Sequence, residues 1–201
     1  MDESLNTTEG SAYTERLVDK ETAWWKRVLD VQRPYRWNLQ RLRPGFALDV
    51  GCGLGRNLKN LGGNGIGVDH NPTSVATARS RGLRAFTVDD FRASEFARPA
   101  TFDSLLVAHV LEHLSEELGL GLLRDYLPFV KPGGKIILIT PQEVGFRSDP
   151  THVRFVELAD LQALAAQAGV VPERAFSFPF PRVFGRAFVY NENVWVGRKA
   201  T

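Results

Sequence analysis

Short apolar runs alternate with helical stretches through the middle of the chain. Strands are predicted near residues 46–50, 65–69, 84–88, 103–108 and 135–140, each followed by a helix or loop. Alternation of this kind is typical of a parallel sheet that is covered by helices on both faces. The pattern therefore predicts a doubly wound α/β fold.

The two ends of the chain depart from this alternation. Residues 12–30 have the apolar spacing of an amphipathic helix, and Pro34 opens a second short helix that ends before Pro44. We interpret residues 1–43 as an N-terminal helical lid or cap, and residues 44–201 as one domain. At the other end, two apolar runs near 174–178 and 187–196 lie too close together for a crossover helix, so they predict an antiparallel hairpin at the sheet edge.

Composition limits the function classes. The 201 residues are 43% hydrophobic and 24% charged with a net charge of +2, which is ordinary for a soluble globular protein. The single cysteine, Cys52, excludes a disulfide framework and a CxxC metal site. No apolar run approaches the length of a membrane span, and the acidic start lacks the features of a signal peptide. We therefore expect a cytoplasmic protein without a membrane partner.

One block of the chain is basic. Residues 26–43 hold six Lys or Arg side chains against Asp30 alone. A solvated helix face and a surface for an anionic ligand or nucleic acid both explain this block.

Three glycines at alternate positions follow the first predicted strand. Gly51, Gly53 and Gly55 allow a ligand to approach the backbone closely, and Asp69 ends the second strand eighteen residues after Gly51. An acid at this distance from a glycine turn can meet a ribose. Nicotinamide and flavin sites read GxGxxG, whereas here the third glycine comes one residue earlier.

These residues, together with the acidic end of strand three and the Pro132-Gly133-Gly134 turn, resemble class I S-adenosylmethionine-dependent methyltransferases over residues 40–197. The resemblance implies a Rossmann-like seven-stranded sheet with an antiparallel last strand. It also implies that Asp69 accepts hydrogen bonds from the ribose hydroxyls and that Asp90 and Phe91 meet the adenine, with Asp89 as the alternative. The residues that we expect at the cofactor are Asp49, Gly51, Gly53, Gly55, Asp69, His70, Asp90, Phe91, Ala108 and Arg36.

Three of the four histidines fall where they can converge at the acceptor. His109, Glu112 and His113 have HxxEH spacing, and His152 follows the fifth strand. The spacing resembles the small-RNA 2′-O-methyltransferases and the ubiquinone-pathway O-methyltransferases, in which an ExxEH group binds Mg²⁺. Here His109 replaces the first Glu, so the set is softer than Mg²⁺ usually prefers. A divalent metal site, a metal-free base role for His109 or His152, and a packing role all remain open.

The acceptor is predicted from weaker features. The whole chain resembles short bacterial sugar methyltransferases such as those of methylmannose polysaccharide synthesis, which implies O-methylation of a carbohydrate hydroxyl, on a saccharide or an oligosaccharide. Two alternatives stay open: methylation of an RNA ribose 2′-hydroxyl, and a regulatory protein that binds S-adenosylmethionine without catalysis. Residues 141–155 and 179–186 are expected to shape the acceptor pocket, and a homodimer is one option for the oligomeric state.

Overall fold

The computed structural model describes residues 32–201 of the chain. The amphipathic helix predicted over residues 12–30 lies outside the described residues. The chain divides into two compact units, of which the N-terminal unit ends at Ser94 and the C-terminal unit is Glu95–Thr201. The predicted boundary at residue 43 stays a prediction. Between residues 32 and 201, no helix is long and apolar enough to cross a membrane.

A seven-stranded sheet has the order β3-β2-β1-β4-β5-β7-β6. Its strands are β1 (Ala47–Val50), β2 (Gly65–Val68), β3 (Ala85–Phe86), β4 (Phe102–Ala108), β5 (Val130–Pro141), β6 (Val170–Phe178) and β7 (Glu192–Lys199). The helices are α1 (Arg33–Arg41), α2 (Arg56–Asn60), α3 (Pro72–Ser80), α4 (Val88–Ala93), α5 (Glu116–Tyr126), α6 (Glu143–Arg147) and α7 (Leu158–Gln167). The last strand runs antiparallel to both of its neighbours, so the predicted doubly wound α/β fold with an antiparallel last strand is confirmed.

In the N-terminal unit, β1, β2 and β3 pair in parallel, and every residue of β1 and β2 is buried. Helix α1 contains Pro34 in its first turn, as the sequence predicts. Strand β3 is shorter than the predicted 84–88 because Thr87 already caps helix α4, where its Oγ1 accepts a hydrogen bond from the Asp90 N–H.

In the C-terminal unit, β4 and β5 pair in parallel, and β7 lies between β5 and β6. Strand β5 begins at Val130, but its pairing with β4 passes from Val130 directly to Lys135, so Pro132, Gly133 and Gly134 lie in an irregular part of the strand, where Gly133 has a φ of 71°. The second hairpin strand begins at Glu192 and not at residue 187. The reason is local, because residues 182–186 form a 3₁₀ turn that lengthens the connection.

Candidate functional site

The glycine turn after β1 lies in the N-terminal unit. Gly51, Gly53 and Gly55 have φ angles of 75°, 51° and 79°, a region that favours glycine. The N–H groups of Gly51 and Cys52 both donate to the carbonyl of Val68, at 2.8 and 3.1 Å, which ties the turn to the end of β2. The sequence therefore needs glycine here for backbone reasons that are independent of any ligand.

Gly55 has a further reason to be glycine. A Cβ at this position would overlap the Leu83 side chain and would lie 3.4 Å from the Cβ of Ala78. Leu83 packs against a small buried cluster that includes Ala78, so packing beneath the turn accounts for Gly55. A contact between Gly55 and the cofactor stays a prediction.

Asp69 is held by the turn that it faces. Its Oδ2 accepts a hydrogen bond from the Gly53 N–H at 2.7 Å, and its Oδ1 accepts one from the Asn71 N–H at 2.9 Å. Each carboxylate oxygen has a second lone pair, so both can also accept from a ribose hydroxyl. His70 is exposed beside it, with Nδ1 3.6 Å from Asp69 Oδ1.

Asp49 is fully buried at the end of β1. Its Oδ1 has the Nδ2 of Asn57 as a distant donor at 3.5 Å, and its Oδ2 has no hydrogen-bond partner within the described part of the chain. Burial raises the pKa of Asp49 to about 7, although Asn57 and Arg56 act in the opposite direction. A cationic ligand group would compensate the buried charge. S-adenosylmethionine carries an ammonium and a sulfonium, so the residues present fit this cofactor.

Both residues predicted for the adenine have partners in the structure. The exposed carboxylate of Asp90 pairs with Arg79 at 2.8 Å, and its pKa is lowered by hydrogen bonds from Arg79 and Thr87. The Phe91 N–H donates to the Thr87 carbonyl at 2.9 Å, and its ring is fully buried. The adenine roles of Asp90 and Phe91 stay predictions. Asp89, the alternative, is exposed in the first turn of α4 and makes no hydrogen bond or ion pair with the residues from 32 onward.

Two predicted cofactor residues lie elsewhere in the chain. Ala108 is buried at the end of β4, immediately before His109. Arg36 is half-buried in α1. Their contacts with the cofactor stay predictions.

In the C-terminal unit, His109 lies between two carboxylates. Its Nε2 is 2.8 Å from Glu192 Oε1, and its Nδ1 is 3.3 Å from Glu112 Oε1. Burial lowers the pKa of His109, but the contacts with Glu112 and Glu192 outweigh burial and raise the pKa to about 9. The imidazole is therefore cationic at neutral pH.

The metal and base roles predicted for His109 stay predictions. As an imidazolium the ring carries a proton on each nitrogen, and one of them would have to leave before that nitrogen could bind a metal or accept a proton. Sequence reasoning missed Glu192, which begins β7. An acid two residues before the apolar run Val194-Trp195-Val196 was the available signal.

Three of the predicted residues do come together. One ligand atom each from Glu112, His113 and His152 lies within 4.8 Å of the other two, and His109 is not part of this group. His113 Nδ1 lies 3.0 Å from the Thr151 carbonyl, and His152 Nδ1 lies 2.7 Å from the Phe146 carbonyl. A carbonyl only accepts, so both Nδ1 atoms carry protons, and Nε2 is the atom that can bind a ligand.

Glu112 is completely buried in the short 3₁₀ turn Leu111–His113. Neither of its carboxylate oxygens accepts a hydrogen bond of normal geometry from the described residues. Its carbonyl accepts from the N–H groups of Val153 and Arg154, at 2.8 and 3.1 Å, which ties the segment after His152 to the turn. Among the described residues, the ring of His109 lies 3.3 Å from Oε1, and a bound cation would further offset the cost of burying this carboxylate.

The donor set indicates which cation fits. Two imidazoles and one carboxylate suit Mn²⁺, Fe²⁺, Co²⁺ or Zn²⁺ better than Mg²⁺, which prefers oxygen ligands. Burial lowers the pKa of His113, and this keeps its ring neutral, as a metal ligand must be. The residues present therefore fit a divalent transition metal.

A buried polar network holds the start of β7. Gln142 Nε2 donates to Ser177 Oγ at 2.7 Å and to the Glu192 carbonyl at 3.0 Å. Asn191 Nδ2 donates to Gln142 Oε1 at 2.8 Å. The two predicted acceptor loops meet here, since Gln142 belongs to the first and Asn191 Nδ2 also donates to the carbonyl of Phe180, in the second, at 3.2 Å. Their polar side chains fix the backbone from which the Glu192 carboxylate projects.

Part of this chain matches a family model and curated proteins. The family model described as a methyltransferase domain matches residues 48–138. A ubiquinone biosynthesis O-methyltransferase of Xanthomonas oryzae is 28% identical over 134 residues, which cover 58% of this chain and 55% of that protein. The chain thus spans about half the length of the curated relatives that it matches.

Solved structures share the fold. A chain of the complex between the Haloferax volcanii Trm112 methyltransferase activator and a methyltransferase has a TM-score of 0.68 at 18% identity, covering 100% of this chain and 99% of that one. Magnesium protoporphyrin IX methyltransferase from Synechocystis with bound S-adenosylhomocysteine has a TM-score of 0.66 at 13% identity, covering 99% and 100%. The chain therefore has the class I methyltransferase fold.

Proposed function

We propose that this chain is an S-adenosylmethionine-dependent methyltransferase that methylates a hydroxyl group. The observation that carries the proposal is the group formed by Glu112, His113 and His152, in which a buried carboxylate that accepts no hydrogen bond of normal geometry from residues 32–201 faces two oriented imidazoles. An alcohol is a poor nucleophile at neutral pH, so it needs a metal or a base. A sulfur or amine acceptor needs neither to the same degree.

The N-terminal unit would bind the methyl donor. Gly51 and Gly53 allow close approach to the backbone, Asp69 would accept hydrogen bonds from the ribose hydroxyls, and Asp49 would face a cationic part of the donor. The bound donor supplies a methyl group that its sulfonium already activates. What the chain adds is alignment, because the acceptor oxygen must lie in line with the carbon–sulfur bond.

The C-terminal unit would activate the acceptor. Glu112, His113 and His152 would hold a divalent cation, and such a cation lowers the pKa of a hydroxyl that binds to it. His113 and His152 keep their Nδ1 protons on backbone carbonyls, which aims their Nε2 atoms at the cation. His109 would balance the charges of Glu112 and Glu192 without taking part in proton transfer.

The acceptor that we propose carries two neighbouring hydroxyls. A vicinal diol can chelate a cation while one of its oxygens attacks, and a carbohydrate is the acceptor class predicted from the sequence. The relatives named ubiquinone biosynthesis O-methyltransferase support methylation of oxygen and do not favour a sugar. An RNA ribose offers the same pair of neighbouring oxygens, so an RNA is one of the acceptors in the test of this proposal.

A metal-free base is the second candidate, and the state of His113 favours it. Burial lowers its pKa, so the ring is neutral at pH 7 and its Nε2 has a free lone pair. His113 would then accept the hydroxyl proton itself. This candidate replaces the base role predicted for His109, which is cationic.

The test is methyl transfer from labelled S-adenosylmethionine to three acceptors: methyl mannoside, catechol and a short RNA with a free 3′-terminal ribose. Each reaction is run in chelator and after addition of Mn²⁺, Zn²⁺ or Mg²⁺. Turnover that chelator abolishes and Mn²⁺ restores supports the metal site, whereas turnover that is unaffected by chelator supports His113 as the base. Donor binding without turnover on any acceptor would support the regulatory alternative.

Variants separate the two roles of the group. Glu112→Gln removes the carboxylate but leaves His113, so it should abolish metal-dependent turnover and spare a reaction that depends on His113 alone. His113→Ala should abolish both. Glu173→Gln is the matched control, because Glu173 pairs with Arg198 at 2.8 Å on an exposed part of the hairpin.

A further inference from the structure

Glu192 contacts the proposed metal group only through another side chain. Its Oε1 lies 2.8 Å from His109 Nε2, and the opposite nitrogen of that ring lies 3.3 Å from Glu112 Oε1. The same Glu112 oxygen lies 4.0 Å from His152 Nε2. A chain of contacts thus runs from Glu192 through His109 to Glu112 Oε1, the oxygen that faces His152 Nε2.

The backbone holds Glu192 firmly. It pairs with Pro141 of β5 and with Phe178 of β6, and its carbonyl accepts a hydrogen bond from Gln142 Nε2 at 3.0 Å. The residue is 9% exposed, so its carboxylate has little freedom to turn toward solvent. It is therefore a rigid anchor.

His109 is held in an unusual conformation. Its φ of 59° lies in the left-handed region, which a residue with a side chain rarely adopts, and its N–H donates to the Ile139 carbonyl at 2.9 Å. Backbone strain of this kind is costly and persists only where the surroundings impose it. The strained backbone directs the ring so that both nitrogens meet a carboxylate.

We propose that Glu192 is a positioning residue that orients Glu112 through His109 and thereby sets the affinity of the Glu112, His113 and His152 group for a divalent cation. The inference rests on the proposed function. Its physical basis is that Glu112 receives no hydrogen bond of normal geometry from the described residues, while the ring of His109 lies 3.3 Å from its Oε1, where it restricts rotation of the carboxylate. Partners beyond the ligands commonly fix ligand orientation in this way.

Removing the anchor should weaken metal binding without removing a ligand. In Glu192→Gln the side chain keeps its shape but loses its charge. Its interaction with the His109 ring therefore weakens, and the Glu112 carboxylate can rotate. Loss of such an outer partner typically weakens metal affinity by about 10- to 100-fold. His109→Gln breaks the same chain one step closer to the metal group, so we expect a loss of similar size.

The experiment is titration of the purified full chain with Mn²⁺, followed by calorimetry and by the electron paramagnetic resonance signal of the free ion. It uses the parent, Glu192→Gln, His109→Gln, the double variant and Glu173→Gln as the control. The double variant should bind no more weakly than the weaker single variant, because both act through one chain of contacts. A merely structural role of Glu192 would lower the melting temperature but leave the Mn²⁺ affinity of the folded protein unchanged.

The outcomes separate the inference from the proposed function. Tight binding by the parent with a loss in both single variants supports the inference. Equal Mn²⁺ affinity of the parent and Glu192→Gln overturns the inference alone. Absence of Mn²⁺ binding by the parent overturns the proposed metal site and the inference together. If Glu192→Gln does not fold, as judged by near-ultraviolet circular dichroism, His109→Gln decides between these outcomes.

Discussion

The backbone N–H of Gly53 donates a hydrogen bond to Oδ2 of Asp69 over 2.7 Å, and it joins two residues that lie 16 positions apart. The bond fixes the acid against the glycine turn before any ligand arrives. The second oxygen of Asp69 is fixed by the Asn71 N–H at 2.9 Å. The two carboxylate oxygens of Asp69 are therefore already in place to accept hydrogen bonds from a ribose, so binding would not have to order this side chain.

Asp69→Asn should weaken binding of S-adenosylhomocysteine at least tenfold. The amide has one acceptor oxygen, so its NH₂ group must face a backbone N–H or a ribose hydroxyl that needs an acceptor. Loss of a hydrogen bond to a charged group costs about 1.5–3 kcal/mol. Titration calorimetry measures the change. The control is Asp103→Asn, which removes an exposed ion pair with Lys131, and equal affinity of Asp69→Asn and this control would refute the ribose role.

The two neighbouring acids of α4 should differ in the same assay. Asp89→Ala should weaken S-adenosylhomocysteine binding, because its exposed carboxylate is free to accept a hydrogen bond from the adenine amino group. Asp90→Ala should leave the affinity within about twofold of the parent, because that carboxylate already pairs with Arg79 on the surface, where such pairs contribute little. A larger loss in Asp90→Ala than in Asp89→Ala would favour the assignment predicted from the sequence.

Gly55→Ala should destabilise the fold by about 1–3 kcal/mol through overpacking. The added Cβ overlaps Leu83, and the φ of 79° adds strain for any side chain. Urea unfolding of Gly55→Ala, Leu83→Ala and the double variant separates these causes. If overpacking is the cause, the double variant loses less free energy of unfolding than the two single variants lose together. If the two losses simply add, backbone strain accounts for the whole effect of Gly55→Ala.

His109 should make stability depend on pH. Its folded pKa of about 9 lies above the ordinary value of 6.5, so the stabilising contribution is complete below about pH 6.5 and is lost as the pH rises through 9. The groups that face the ring are Glu112 and Glu192. Urea unfolding in chelator at pH 6.5, 8 and 9.5 should show a stability gap between the parent and His109→Gln that narrows with pH. A gap that is constant or widens would contradict the cationic state.

The sequence predicted the parts of the molecule that local rules control. Glycines at alternate positions after an apolar run and an acid at the end of the next run are constraints on the backbone, and the structure shows the expected bond between Gly53 and Asp69. Pro34 opened the expected short helix for the same reason. By contrast, the sequence did not predict that Thr87 caps α4. Its hydroxyl and carbonyl oxygens accept hydrogen bonds from the Asp90 and Phe91 N–H groups.

By itself the sequence determined the alternation of strands and helices, the antiparallel end of the sheet and the glycine turn. These features follow from hydrophobic periodicity and from backbone conformational freedom, and both depend on residues that are neighbours in the chain. Only the tertiary structure decided what each histidine does. His113 and His152 each donate the Nδ1 proton in a hydrogen bond to a backbone carbonyl, so Nε2 is the nitrogen that can bind a ligand. The pKa of His109 is raised because Glu112 lies against its Nδ1 and Glu192, 83 residues away, lies against its Nε2. Protonation states depend on charges and burial in three dimensions, and sequence spacing does not encode them.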